Sequence, residues 1–295
     1  MVREFRCRFP ARGLGWKRLT SGDRTRSLMS DPRDEQGRNA FWQKMLSGEH
    51  PTLRRGRTVM RMLSPTADNR CRLCCVGFDG FTAPALRLAG FRPWRRNPHI
   101  CEQCETVLAK ERGGAEVEIA MLYADVRGST QLAARMGPTE FAALMQRFFR
   151  VATDVFAETD AVVDKMVGDE VIGIFLPGFS GRDYRQHAVN AGLALLRATG
   201  HDDPAGPWLS IGVGVHAGKT FVGSIGVEDG NYQFAALGDP MNFCARLVAA
   251  ARGGEIIISP AVWDEASTGI AAEQRSLLLK GYPAPINAYV AKLTR

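Results

Sequence analysis

Long apolar runs are what this sequence most plainly lacks. No stretch approaches the roughly 18 consecutive apolar residues that a membrane-spanning helix needs. The N-terminal MVREFRCRFPARGLG is basic, without the apolar run that would make it a secretory signal. Both absences point to a cytoplasmic location. A charge surplus is also missing from most of the chain, despite a formal net charge of +7. Residues 1–28 hold eight basic residues (Arg3, Arg6, Arg8, Arg12, Lys17, Arg18, Arg24 and Arg26) against Glu4 and Asp23. Taking these from the totals of 38 and 31 leaves 30 basic and 29 acidic groups in the other 267 residues. A surplus confined to a tail excludes the broad positive surface of a nucleic-acid binder. The tail, residues 1–38, is aperiodic and Arg-rich and reads as disordered.

What is present falls into two further parts. Residues 39–112 open with a helical pattern around Phe41, Trp42 and Leu46 and hold five of the seven cysteines. From residue 115 to 295, strand-like and helix-like stretches alternate. EIAMLYADV (118–126) is a nearly continuous apolar run, the mark of a buried strand. Pro138-Thr139-Glu140 starts a helix whose apolar residues recur every three or four positions. AVVDKMVGDEVIGIF (161–175) is two β-rich segments around Gly168-Asp169, a hairpin signal. A helix near 183–199, a strand at 208–218 and a hairpin to 234–238 follow, then a helix at 241–252 and strands at 255–259 and near the C-terminus. The order β-α-β-β-α-β predicts an α+β fold with a ferredoxin-like sheet covered by helices on one face.

Two aspartates stand out. Asp125 closes the first strand and opens Asp-Val-Arg-Gly-Ser-Thr; Asp169 sits at the hairpin tip. If the first strand lies beside the hairpin, both carboxylates meet at one sheet edge, as Mg²⁺ or Mn²⁺ on a triphosphate requires. The loop Arg127-Gly128-Ser129-Thr130, feeding a helix, offers backbone N–H groups to phosphate oxygens. Asn242 and Arg246, four apart, project from one helical face. An Arg there can stabilise charge on a transferring phosphorus and an Asn can orient a ribose. Each piece alone also has a plain reading: a strand-end cap, a common hairpin tip, an exposed polar helix face.

Together the segments are similar to class III nucleotidyl cyclases, the adenylate and guanylate cyclase family. The resemblance covers residues 117 to 292. It rests on Asp125-Val126-Arg127-Gly128-Ser129-Thr130, Lys165-Met166-Val167-Gly168-Asp169, Gly212-Val213-Gly214-Val215-His216-Ala217-Gly218, Gly238-Asp239-Pro240-Met241-Asn242-Phe243-Cys244-Ala245-Arg246 and Leu279-Lys280-Gly281. The resemblance implies that Asp125, Asp169 and the carbonyl of Val126 bind two Mg²⁺ or Mn²⁺ ions. The ribose 3′-hydroxyl then attacks the α-phosphorus, releasing pyrophosphate and a 3′,5′-cyclic nucleotide. It further implies that Asn242 orients the ribose, Arg246 stabilises the α-phosphoryl charge and Lys165 contacts the base. These three residues act across the interface of a head-to-tail homodimer with composite sites. One position departs from the family: Ala235 stands where a polar residue, Asp or Thr, reads the purine with the lysine. ATP is the expected substrate. GTP, or a pyrimidine triphosphate as in relatives that make cyclic UMP or cyclic CMP in antiphage signalling, is the alternative. A non-catalytic nucleotide-binding scaffold is disfavoured because Asp125, Asp169, Asn242 and Arg246 are all retained. A diguanylate cyclase, suggested by Val167-Gly168-Asp169-Glu170-Val171, is disfavoured by the Asn242/Arg246 helix.

Cys71-Arg72-Leu73-Cys74 and Cys101-Glu102-Gln103-Cys104 form two Cys-x-x-Cys knuckles 26 residues apart. Cys71, Cys74, Cys101 and Cys104 suit tetrahedral Zn²⁺, with an iron–sulfur cluster as the alternative. Cys75 is the spare thiol and His99 a weaker substitute ligand. The competing reading is a set of buried or reactive thiols. His216, inside an apolar strand, reads as a packed structural histidine.

Overall fold

The computed structural model describes residues 32–67, 69–94, 97–110, 113–226, 232–266 and 269–293. The basic tail to residue 28 and Cys7 lie outside the described residues. From Arg38 onward the chain forms one compact unit.

Two helices lead in, α1 (Pro32–Ser47) and α2 (Pro51–Leu63), the second with proline in its first turn, where the lost N–H has no helical partner. A tight turn closed by the Arg70–Gly77 bridge then carries the first cysteine knuckle. After α3 (Ala83–Leu88), a two-stranded ribbon of β1 (Pro93–Trp94) and β2 (Asn97–Cys101) delivers the second knuckle to the start of α4 (Glu102–Lys110).

The expected β-α-β-β-α-β order follows. Strand β3 (Gly113–Val126) leads through α5 (Ser129–Arg135) and α6 (Pro138–Glu158) to the hairpin β4 (Val162–Val167) and β5 (Glu170–Phe175). Then come α7 (Pro177–Ser180), α8 (Tyr184–Ala198), β6 (Ile211–Gly226), β7 (Tyr232–Leu237), α9 (Asp239–Ala250), β8 (Glu255–Ile258), α10 (Pro260–Ala266), β9 (Ala272–Leu277) and β10 (Ile286–Lys292). The sheet runs β4-β5-β3-β6-β8-β10-β9, with β7 added against β6. All pairs are antiparallel except β6 with β8. The central β3 is long and apolar because it is buried on both faces.

Helices cover both faces of this sheet rather than the expected one, because α9 returns beneath β6, and the two faces are covered differently. Ala120, Leu122, Ala124 and Val126 point to one side, where Met145, Phe148, Ala152 and Phe156 of α6 and Ala188, Leu195 and Leu196 of α8 close over them. Ile119, Met121 and Tyr123 point to the other side and meet Met241, Cys244 and Val248 of α9. They also share a core with Trp42, Leu46, Leu73, Val76, Phe78 and Ile100 of the cysteine-rich part. Burying each such large side chain contributes about 1.5–3 kcal/mol. The cysteine-rich part is therefore packed on the sheet through apolar surface. Polar ties reinforce it: Arg57 donates to the carbonyls of Leu73 (2.7 Å), Arg72 (3.2 Å) and Gly178 (2.7 Å), and Arg72 pairs with Asp160 at 2.5 Å.

The glycines of β6 explain how α9 is placed. A Cβ on Gly214 would stand 2.6 Å from the Val248 nitrogen, and one on Gly218 would stand 2.8 Å from the Pro240 ring. Helix α9 lies so close to β6 that a side chain at these positions would drive it off.

Candidate active site and metal centre

The two aspartates arrive at one sheet edge by strand register. Asp125 is the last-but-one residue of β3 and pairs with Glu170, the first residue of β5. Asp169 occupies the tip between β4 and β5, and its carbonyl accepts from the Val126 N–H at 3.3 Å. Gly168 allows this tight tip with φ of +63°. Asp125, Asp169 and Glu170 are all half-buried. The Glu170 carboxyl is pushed up by burial and then by the neighbouring Asp169 charge, with Arg127 opposing. Acidic groups so gathered call for a cation, and Arg127 now supplies one: its guanidinium forms an ion pair with Asp125.

Arg127 is also tied down elsewhere. It donates to the carbonyls of Val248 (3.3 Å) and Ala251 (3.2 Å) at the end of α9, and its N–H donates to Ser210 at 2.8 Å. Cations suit a helix C-terminus, so Arg127 clamps α9 to the aspartate edge. Burial lowers its own pKa, with Asp169 and Glu170 pulling the other way. Gly128 caps α5 with φ of +69°; Ser129 and Thr130 form its first turn, where N–H groups have no helical partner. Gly128 and Thr130 are exposed and Val126 is buried.

On α9, Asn242 and Arg246 are exposed on the side opposite Met241, Cys244 and Val248. Their side chains do not contribute to the core; they project outward from a helix whose position the β6 glycines set. Tyr282 donates to Asp239 at 3.0 Å, holding the start of that helix.

Lys165 lies on β4, half-buried, beside a residue that the sequence reading passed over. Between Val163 and Lys165 the β4–β5 register slips, so Asp164 is an extra residue and both side chains serve one cleft. Asp164 accepts from the Ala236 N–H at 3.2 Å, and its second oxygen sits 3.7 Å from the Lys165 amine. That is an ion-pair distance, too long for a hydrogen bond. Burial raises the Asp164 carboxyl, with Lys165 pulling it down. Two polar residues in succession within an otherwise apolar strand were the available signal. Ala235, next to Ala236 on β7, is buried and offers no hydrogen-bonding side chain.

His216 is a packing residue. Its Nδ1 lies 2.8 Å from the Ser259 hydroxyl and its ring 4.4 Å from that of Phe243; burial lowers its pKa to about 4.

The cysteines converge. The sulfurs of Cys71, Cys74, Cys101 and Cys104 lie within 4.8 Å of one another. Cys71 and Cys104 are 3.8 Å apart, and Cys74 and Cys101 3.7 Å. A tetrahedron with metal–sulfur bonds of about 2.3 Å has edges of about 3.8 Å, so the four sulfurs stand where one such ion would hold them. A disulfide would need about 2.0 Å. Backbone donors support charge on sulfur: Cys101 N–H to Cys71 Sγ at 3.3 Å, and Cys104 N–H to Cys101 Sγ at 3.4 Å. The Cys71 thiol is pulled down, chiefly by hydrogen bonding with Cys101, while Cys104 is pushed up, chiefly by the same neighbour. Four sulfurs this close do not all ionise without a cation. Cys75 is buried and outside the cluster, with φ of +62° in the knuckle turn. The His99 side chain lies outside the described residues. Cys244 lies on the buried face of α9, its thiol 3.4 Å from the Gly214 carbonyl.

Residues 114–290 match the family model described as the adenylate and guanylate cyclase catalytic domain. The chain belongs to the adenylate and guanylate cyclase family. An uncharacterized protein of Mycobacterium tuberculosis is 26% identical over 249 residues, covering 78% of this chain and 45% of its own length. A second is 31% identical over 159 residues, covering 52% and 27%. The chain thus spans less than half the length of these curated relatives. Among solved structures, the guanylyl cyclase Cya2 superposes with a TM-score of 0.56 at 24% identity, covering 61% of this chain and 93% of that one. The adenylyl cyclase CyaB from P. aeruginosa gives 0.55 at 23%, covering 62% and 97%. At these identities the likeness establishes the cyclase fold. The matched domain begins at residue 114, so the cysteine cluster lies outside it. No helix among the described residues is long and apolar enough to cross a membrane.

Proposed function

We propose that this cyclase domain converts ATP to 3′,5′-cyclic AMP and pyrophosphate in a homodimer with two composite sites. The observation that carries the reading is the meeting of Asp125 and Asp169 at one sheet edge, in a chain that also displays Asn242 and Arg246 outward on α9. Asp125, Asp169 and the Val126 carbonyl are the residues that would hold two Mg²⁺ or Mn²⁺ ions, with Arg127 yielding its pairing to Asp125. Held there, such ions would supply charge neutralisation for the triphosphate and a lowered pKa for the ribose 3′-hydroxyl. N–H groups at Gly128, Ser129 and Thr130, at the start of α5, take phosphate oxygens, and Gly168 keeps the tip open beside them. From the other protomer, Asn242 orients the ribose and Arg246 meets the charge growing on the α-phosphoryl oxygens. Exposure of both on a rigid helix suits a role toward a partner.

Lys165 reads the base. With Ala235 silent, one side chain does the work of two, and discrimination against GTP is modest, on the order of tenfold. The cysteine cluster holds one Zn²⁺ as a structural ion. Sulfurs within 4.8 Å leave room for a single ion rather than a multi-iron cluster.

Incubating the full chain with Mn²⁺ and each of the four nucleoside triphosphates, then separating products, tests the reading. Cyclic AMP should dominate, and Asp125→Ala should yield none. Cyclic product formed equally well by Asp125→Ala would refute the metal assignment.

A further inference from the structure

The cleft beside Lys165 is not built by the cyclase domain alone. It measures about 510 Å³ and is lined by Val162, Asp164, Lys165, Met166 and Phe234 and by Trp94. Trp94 belongs to the cysteine-rich part, outside the matched domain. It ends β1, whose neighbouring residue Pro93 pairs with Cys101, a member of the four-sulfur cluster. Its side chain is half-buried, so part of it remains open to the cleft. A second aromatic from the same part acts behind the wall: the fully buried Trp42 stacks on Phe234, with centroids 6.3 Å apart and planes 27° apart. Asp164, pairing with Lys165 and tied to Ala236, fixes the amine at the cleft's polar end.

We propose that Trp94 stacks on the nucleobase, so that the cysteine-rich part completes the substrate site. The inference rests on the cyclase reading above, in which Lys165 contacts the base. The volume accommodates a base and sugar. Lys165 and the Asp164 carboxylate it pairs with are the charged side chains in the cleft lining, and Ala235 adds no polar group, so edge hydrogen bonds are few. A flat aromatic wall supplies the missing affinity, because every base has a π-face. Such a contact adds affinity without choosing among bases, consistent with a site whose polar reader is absent. It also links the cluster to substrate: Trp94 keeps its place through a ribbon anchored at Cys101.

The test compares wild type, Trp94→Ala and Trp94→Phe as full-length proteins, each first shown to keep the wild-type zinc content and melting temperature. KM for ATP should rise about tenfold in Trp94→Ala with kcat within about twofold, since stacking acts alike on bound substrate and transition state. Trp94→Phe should recover most of the loss. Inhibition by inorganic tripolyphosphate, which has no base, should be unchanged. An unchanged or lowered KM in Trp94→Ala overturns the proposal, and so does equal weakening of tripolyphosphate. Calorimetric binding of ATP to the same proteins keeps the two readings apart. If no triphosphate is cyclised, yet Trp94→Ala binds ATP about tenfold more weakly, the cyclase reading fails and the stacking stands. If the variants bind alike, the stacking fails whatever the activity.

Discussion

The two faces of the sheet make an instructive contrast. On one, the cyclase domain covers itself: α6 and α8 bring Phe148, Phe156, Leu195 and other apolar residues from their own periodic stripes. On the other, α9 covers only part, and Trp42, Leu46, Leu73, Val76 and Phe78 of the cysteine-rich part close the rest. The first face is stabilised by that burial and by Arg185 of α8, which pairs with Glu118 of β3 and Glu265 of α10. The second depends on a segment whose apolar residues are spent on the sheet and whose own interior is four cysteines. Lys165, Trp94 and the helix that carries Asn242 and Arg246 border the second face, while Asp125, Asp169 and the loop from Val126 to Thr130 stand at the end of the sheet, where Val126 still reaches the first-face core. The base cleft thus lies on the face that the cysteine-rich part helps to cover.

The largest break in that contrast comes from the edge carboxylates. Asp169→Ala should reduce cyclase activity about a thousandfold or more, several kcal/mol of transition-state stabilisation, with the melting temperature and zinc content unchanged. Equal loss of activity and stability would mean that Asp169 holds the hairpin instead. Next in size is the cluster. Cys71→Ser should abolish zinc binding by elemental analysis and destabilise the protein by about 4–5 kcal/mol. Hydrogen exchange should then rise first in α1, α4 and β7 and only later in α6 and α8. Uniform loosening of both faces would erase the distinction.

The smallest effect concerns His216. Its folded-state pKa is lowered to about 4 by burial, while the unfolded chain takes up a proton near the usual value of about 6.5. The stability it contributes is complete above pH 6.5 and is lost as pH falls toward 4. His216→Gln should flatten that part of the pH–stability curve. A wild-type curve already flat between pH 6.5 and 4 would show that the ring is accessible to protons in the folded state.

Much of this was legible in the sequence for a physical reason. The strands and helices of the cyclase domain carry their periodicity locally: the apolar 118–126 run became part of β3, and the stripe from Phe141 to Val155 lies on α6. The Cys-x-x-Cys spacing already restricted which sulfurs could meet. Long-range effects were not readable. The slip in β4 that turns Asp164 to the side of Lys165 leaves no periodic trace beyond two adjacent polar residues. Arg127 belonged to a loop motif; its clamp on the Val248 and Ala251 carbonyls joins residues more than 120 positions apart. Nothing local announces that Trp94 lines the cleft beside Lys165, because the ribbon that carries it is placed by packing on the far side of β3.

Mixing two inactive variants tests the composite site most directly. Asp125→Ala retains Arg246, and Arg246→Ala retains Asp125, so a mixed dimer regains one intact site. After co-refolding or co-expression, with mixed dimers verified by two affinity tags, the account predicts recovery of about a quarter of wild-type activity, the share of sites that random pairing restores. Activity no higher than that of either variant alone, in verified mixed dimers, would contradict it.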